Sequence, residues 1–201
     1  MRRLVLALTV LLAAPAQGAA PVRLHIVFPE GQSVRQMTDR VAAVRRIAIA
    51  KRHVRPALTG TAYARAAAGA GPPAGFGRPP GIEGFLFPDT YEFGPLTRAG
   101  EIVALQQAAF ARAWQRVRLP PGRAAYDVLI VASMIERETV APEERPLVSA
   151  VIWNRLARGM PLGIDATLRY GLGIPGTRPI TAAQQRSDTP YNTNRFAGLH
   201  V

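Results

Sequence analysis

Apolar positions run along this chain in blocks of different period, and each block predicts a different element. Leu4–Ala14 is a nearly unbroken apolar run behind Met1-Arg2-Arg3 and ahead of the small residues of Pro15–Ala20. A basic head, a short greasy stretch and a small-residue tail together read as a secretory signal. The run falls short of the roughly 20 residues that span a bilayer comfortably. Residues 1–20 are therefore expected to be a signal peptide or a short membrane anchor. Leu24–Phe28 is rich in β-formers and is closed by Pro29-Glu30-Gly31. Ser33 then offers an N-cap, Gln36 completes a capping box, and Met37, Val41 and Val44 follow at helical spacing. A strand, a tight turn and a capped helix are thus predicted over residues 22–50.

Nine of the thirteen residues from 69 to 81 are Gly or Pro, the composition of a flexible connector. The expected organisation is a small unit over 21–68, a linker over 69–81 and a larger portion over 82–201. That portion opens with Glu83–Phe93, two aromatic-rich apolar stretches around a Pro-Asp turn. A helix follows over Thr97–Leu119, with Val103, Phe110, Trp114 and Val117 on one face and Arg98, Glu101, Arg112 and Arg116 opposite. Pro120-Pro121-Gly122 stops it. The next helix, Ala124–Thr139, is apolar almost all round from Val128 to Ile135, which predicts a buried central helix. A third starts at Pro142 or Pro146 and runs to Arg158, with Glu143 and Glu144 in its first turn, Arg155 and Arg158 in its last, and Gly159 as its stop. Met160–Val201 is turn-rich. One strand region followed by several helices makes the fold class α+β.

Composition narrows the chemistry. A chain of 201 residues with 48% apolar residues can bury a core as one domain or one with a small appendage. It has no cysteine, which removes disulfides, thiolate metal sites and a thiol nucleophile. Its three histidines, His25, His53 and His200, are too scattered for a zinc cluster, so neither metal nor cofactor is expected. Lys and Arg number 25 against 13 acidic residues, a net charge of +12 that favours a polyanion or an anionic surface as partner. No zinc-finger, RRM or KH signature is present, which disfavours nucleic acid; a carboxylate-bearing cell-wall polymer is another candidate, and a GC-rich genome that places Arg where others place Lys is the plainer reading of the charge.

The oddest chemical feature is Glu136-Arg137-Glu138-Thr139 at the end of the greasy helix. On a helical wheel Glu138 falls between Val131, Met134 and Ile135. A carboxyl buried there loses solvation and sits at the negative end of the helix dipole, and both effects favour its protonated form. A carboxylic acid of that kind can serve as general acid in glycosidic cleavage. An ion pair with Arg137 or Arg145 is the plainer reading, and spacing alone does not separate Glu138 from Glu136, which lies near Leu129 and Ala132. Asp89 follows Pro88 as a turn former, and Asp165 sits in a loop. Tyr191-Asn192-Thr193-Asn194-Arg195 suits either a sugar cleft or a polar surface loop. There is no Walker loop, GxSxG elbow or HExxH helix.

Four segments, in order, resemble the YceG-like endolytic murein transglycosylases, the MltG family. Glu83–Phe93 (EGFLFPDTYEF) resembles the family's aromatic block, and Val131–Met160 resembles its catalytic helix with the Glu-Arg-Pro entry and Asn-Arg-Leu helix that follow. Pro161–Gly173 and Pro190–Leu199 resemble two later loops. Phe28–Val41 is similar to part of the family's LysM-like module. The resemblance implies a small LysM-like unit followed by a helix-rich, lysozyme-like catalytic portion. It places the catalytic acid on Glu138. It implies cleavage of the β-1,4 bond between N-acetylmuramic acid and N-acetylglucosamine inside a peptidoglycan strand, leaving 1,6-anhydro-muramyl ends. Thr139, Glu144, Arg145, Asn154, Asp165, Thr167, Tyr191, Asn192 and Thr193 match family motif positions as substrate-binding or supporting residues. Peptidoglycan strands and the peptidoglycan synthases of the inner membrane are the implied partners, in the periplasm or on the periplasmic face of that membrane. Ala166 stands where the family usually has Pro, and Asn194 where it usually has Tyr. The family pattern continues Pro-Pro-Gly after Gly-Leu, whereas this chain stops at Gly198-Leu199-His200-Val201, so the catalytic portion is expected to be C-terminally incomplete. The alternative reading is a peptidoglycan-binding protein without turnover.

Overall fold

A computed structural model describes residues 21–199. The expected signal segment, residues 1–20, lies outside the described residues. The first strand, β1 (Leu24–Val27), pairs antiparallel with β2 (Thr90–Phe93) in the register Leu24↔Phe93, Ile26↔Tyr91. Alternation puts Leu24, Ile26, Tyr91 and Phe93 inward, while His25 and Glu92 face solvent. There Glu92 pairs with Arg23 at 2.8 Å.

The turn after β1 leads into α1 (Val34–Arg52), and the capping box forms as expected: Ser33 accepts from the Gln36 backbone and Gln36 from that of Ser33. Helix α2 (Gly60–Gly69), which the sequence reading did not anticipate, packs against α1. The Thr59 hydroxyl caps it by accepting from the Ala62 amide at 3.1 Å. At the crossing Gly60 lies so close to α1 that a Cβ there would meet the Thr38 carbonyl at 3.0 Å.

Segment 69–81 does not separate two cores, contrary to expectation. Phe76, in its middle, is buried against Phe85, Phe110 and Trp114 with ring centroids 4.7–5.6 Å apart. An aromatic side chain removed from water at one point anchors an otherwise pliable Gly/Pro stretch. The β1–β2 ladder also crosses the segment, so residues 24–110 share one hydrophobic cluster.

Helix α3 (Ala99–Trp114) buries Val103 and Phe110 as predicted, but it ends before Val117, which is exposed. It contributes Gln106, whose amide oxygen accepts from the Tyr63 hydroxyl at 2.6 Å inside the cluster. Helix α4 (Ala125–Glu138) corrects the picture of a wholly buried rod. Only Ile130, Val131 and Met134 are buried, and Ala132 and Ser133 face solvent. A 3₁₀ turn (Pro142–Glu144) leads into α5 (Arg145–Ala157). The turn-rich remainder holds two further helices, α6 (Asp165–Leu172) and α7 (Ala182–Gln185). Ile152 of α5 joins the buried face of α4, Leu162 and Ile164 in a second cluster, and Tyr126 at the start of α4 packs against both clusters. The architecture is α+β in the coarse sense: a two-stranded sheet among seven helices in the described residues. Among those residues no helix is long and apolar enough to cross a membrane.

Candidate active site

The end of α4 is fixed from inside by Thr139. Its backbone amide and its hydroxyl both donate to the Ile135 carbonyl, at 3.0 and 2.8 Å, and the side chain is buried. The doubled bond closes the last turn where the helix would otherwise fray. One residue further, Val140 is 99% exposed, so the chain leaves the core abruptly.

This abruptness decides the state of the two glutamates. Glu138 continues the stripe of Val131 and Met134, but the second cluster has ended by then, and the carboxylate stands exposed. The expected burial is absent, and with it the desolvation argued from the wheel. Glu136 points about 200° away around the helix axis. Its Oε2 lies 3.7 Å from Nη2 of Arg145 at the start of α5, and a Cβ placed on Gly31 would come 3.8 Å from its side chain and that of Arg137. The ion pair expected in this region thus engages Glu136. Among the described residues, the Glu138 carboxylate has no hydrogen bond or ion pair. Glu144 is exposed at the N-cap of α5. The Glu136–Arg145 pair is half exposed, so it orients side chains more than it stabilises the fold.

A second group of predicted residues gathers around the start of α6. Asp165 is its first residue, exposed and well placed for the helix dipole. Thr193 is buried, and its hydroxyl accepts from the Ile164 amide at 2.9 Å. It lies 2.9 Å from the Thr167 hydroxyl, which donates to the Ile164 carbonyl at 2.7 Å. The Thr193 carbonyl accepts from the Gly163 amide at 2.8 Å. Loops 161–167 and 187–199 are therefore stitched together through the hydroxyl and the carbonyl of Thr193. Asn192, fully buried, donates to the Gln185 and Ser187 carbonyls at 2.8 Å each, and its own amide oxygen is unpartnered. Of the residues marked as substrate-binding, Asn192 and Thr193 are thus positioned as supports beneath the surface. Tyr191 leans on Gly171, where a Cβ would come within 2.6 Å of its ring, and meets Tyr170 edge-on at 5.3 Å. Asn154 is exposed on α5, and no bond among the described residues ties its side chain to either group. Helices α5 and α6 both pack on α4, which holds the two groups on one scaffold.

Glu83 escaped the sequence reading as a functional group. Both of its carboxylate oxygens accept from the Val34 amide at the N-terminus of α1, at 3.2 Å, and the Tyr170 hydroxyl points at the same carboxylate. Burial pushes its pKa above 4.5 against the pull of those two donors. Burial and the neighbouring Glu83 charge likewise raise the Tyr170 phenol. A lone acid leading directly into the aromatic block Gly84–Phe87 was the available signal.

A profile of the YceG-like family matches residues 6–201. The chain belongs to the YceG-like family. An endolytic murein transglycosylase of Bacillus subtilis (strain 168) is 31% identical over 122 residues, covering 59% of this chain and 34% of that protein. Its namesake in Streptococcus pneumoniae serotype 2 (strain D39) is 30% identical over 125 residues, covering 59% and 23%. This YceG-like chain spans about a third of the first relative's length and about a quarter of the second's. A crystal structure of a YceG-like protein from Listeria monocytogenes superposes with a TM-score of 0.70 at 25% identity, covering 88% of this chain and 60% of that one.

Proposed function

We propose that the chain cleaves peptidoglycan glycan strands as a lytic transglycosylase, with Glu138 as the group that moves the proton. Family membership and relatives named endolytic murein transglycosylases support the reaction class. The observation that carries the residue assignment is the contrast within one helical turn. Glu136 is engaged by Arg145, while Glu138 is exposed and unpartnered among the described residues. A carboxyl that must receive and return a proton needs free access to the scissile oxygen.

A glycan lying along α4 would replace water over Glu138. Glu138 then protonates the bridging oxygen as positive charge develops at the muramyl anomeric carbon. The resulting carboxylate accepts the proton of the muramyl 6-hydroxyl, whose oxygen attacks that carbon and closes a 1,6-anhydro ring. The proton count balances without water, so one carboxyl suffices. Arg145 holds Glu136 aside, and Thr139 fixes the helix end. Asp165, Tyr191 and the exposed Asn154 and Glu144 offer polar contacts to sugar, while Thr167, Asn192 and Thr193 keep the α6 loop in place.

The strand–helix–helix–strand order of β1, α1, α2 and β2 fits a LysM-like unit, which would then extend to Phe93 instead of stopping at 68. The periplasmic setting and work beside peptidoglycan synthases belong to the same proposal. Digesting purified sacculi with the protein and weighing the fragments by mass spectrometry tests it. Anhydro-muramyl ends support the reading. Reducing ends would mean hydrolysis, with Asp165 as the candidate base, and retention on sacculi without fragments would mean a binding protein.

A further inference from the structure

An open cavity of about 490 Å³ lies between α1, α2 and α6. Val34, Ala64 and Ala68 give it an apolar floor, Glu83 and Tyr170 close one side, and Arg35 stands at its edge. Arg35 is exposed and, among the described residues, has no carboxylate partner. Its guanidinium lies against Gly173, the C-cap of α6, where a Cβ would come within 3.0 Å of Nη1. Gly173 has φ +63°, a conformation that also excludes most side chains. The backbone of α6 thus makes room for an arginine that no carboxylate among the described residues neutralises. Glu83 does not serve as its counter-ion, since its oxygens accept from the Val34 amide and face the Tyr170 hydroxyl.

An apolar floor of small side chains beside one free guanidinium is complementary to a short acidic peptide with small apolar residues. Position supplies the link to the α4 end. A Cβ placed on Gly31 would lie 3.8 Å from the Glu136 and Arg137 side chains there, and Val34 lines the cavity three residues on, at most about 10 Å of chain. We infer that this cavity holds the peptide stem borne by a muramyl residue of the glycan, Arg35 pairing with a stem carboxylate and Ala64 and Ala68 receiving its small side chains. The inference rests on the glycan reading above, and it names what that site selects: strands that still carry their peptides.

The test uses the full chain and two soluble ligands, a disaccharide-peptide released from peptidoglycan and the same disaccharide stripped by an amidase. Calorimetry should show the peptide-bearing ligand binding at least about tenfold more tightly. Arg35→Glu and Ala68→Trp, both at exposed positions, should each remove that difference and leave affinity for the stripped disaccharide and the thermal midpoint unchanged. Equal affinity for the two ligands, failure of both to bind included, overturns the inference, as does a preference that survives both substitutions. Glu138→Gln should keep the preference. Stem-dependent binding without fragments from sacculi would sink the cleavage reading alone, and fragments without stem dependence would sink this one alone.

Discussion

Replacing Thr193 with Val removes one hydroxyl at nearly constant volume and isolates the stitch between the two late loops. The hydroxyl is buried and is the partner of the Ile164 amide, at 2.9 Å. Its loss leaves a buried N–H unsatisfied, which costs about 1–3 kcal/mol. Methyl for hydroxyl recovers little, because the site is lined by backbone polar groups as well as by the second core. A net loss of about 2 kcal/mol would lower the thermal midpoint by about 4–8 °C for a chain of this size. Thr167→Val is the internal control. That hydroxyl donates to the Ile164 carbonyl but is not the partner of a buried amide, so its loss should cost less than about 1 kcal/mol. Thr193→Ser should lose only a methyl group, about 0.8 kcal/mol. Calorimetric melting of the three variants decides. Thr193→Val within about 0.5 kcal/mol of the parent, or Thr167→Val equally costly, would refute the reasoning.

Two further outcomes follow from buried polar groups in the first core. Tyr63→Phe strands the Gln106 amide oxygen inside the cluster and should cost about 1–3 kcal/mol in denaturant unfolding. Glu83 has a folded pKa above 4.5, so the folded state holds its proton more tightly than the unfolded one. Its contribution is fully present below pH 4.5 and is lost as pH rises through the folded value. The stability of the parent minus that of Glu83→Gln should therefore fall as pH rises through that window, and a flat or rising difference would contradict it.

Local rules carried much of the fold. Ser33 and Gln36 form a capping box from two short side chains and the adjacent backbone, with no tertiary partner required, so sequence spacing was enough. The β1 pattern was legible for the same reason, since alternation alone sets its inward face. What the pattern missed depends on partners distant in sequence. Phe76 is one aromatic in a Gly/Pro stretch, and its burial comes from Phe85, Phe110 and Trp114. The apolar run on α4 predicted burial almost all round, whereas only Ile130, Val131 and Met134 are buried. The wheel treats the helix as if its neighbour continued, whereas the second core stops before Glu138. Motif resemblance pointed to Glu138 where spacing could not choose between the two glutamates, and the structure pairs Glu136 with Arg145. Glu83 went unnoticed because its burial is created by α1 and α6 meeting around it.

The assignment of the proton to Glu138 is tested most directly by comparing Glu138→Gln and Glu136→Gln on the same sacculi, counting anhydro-muramyl ends per unit time. A general acid typically contributes about 10²–10⁴-fold. Glu138→Gln should lower the rate by at least about 100-fold, with Glu136→Gln retaining measurable turnover. Loss of equal size from both substitutions, or turnover surviving in Glu138→Gln, would contradict it.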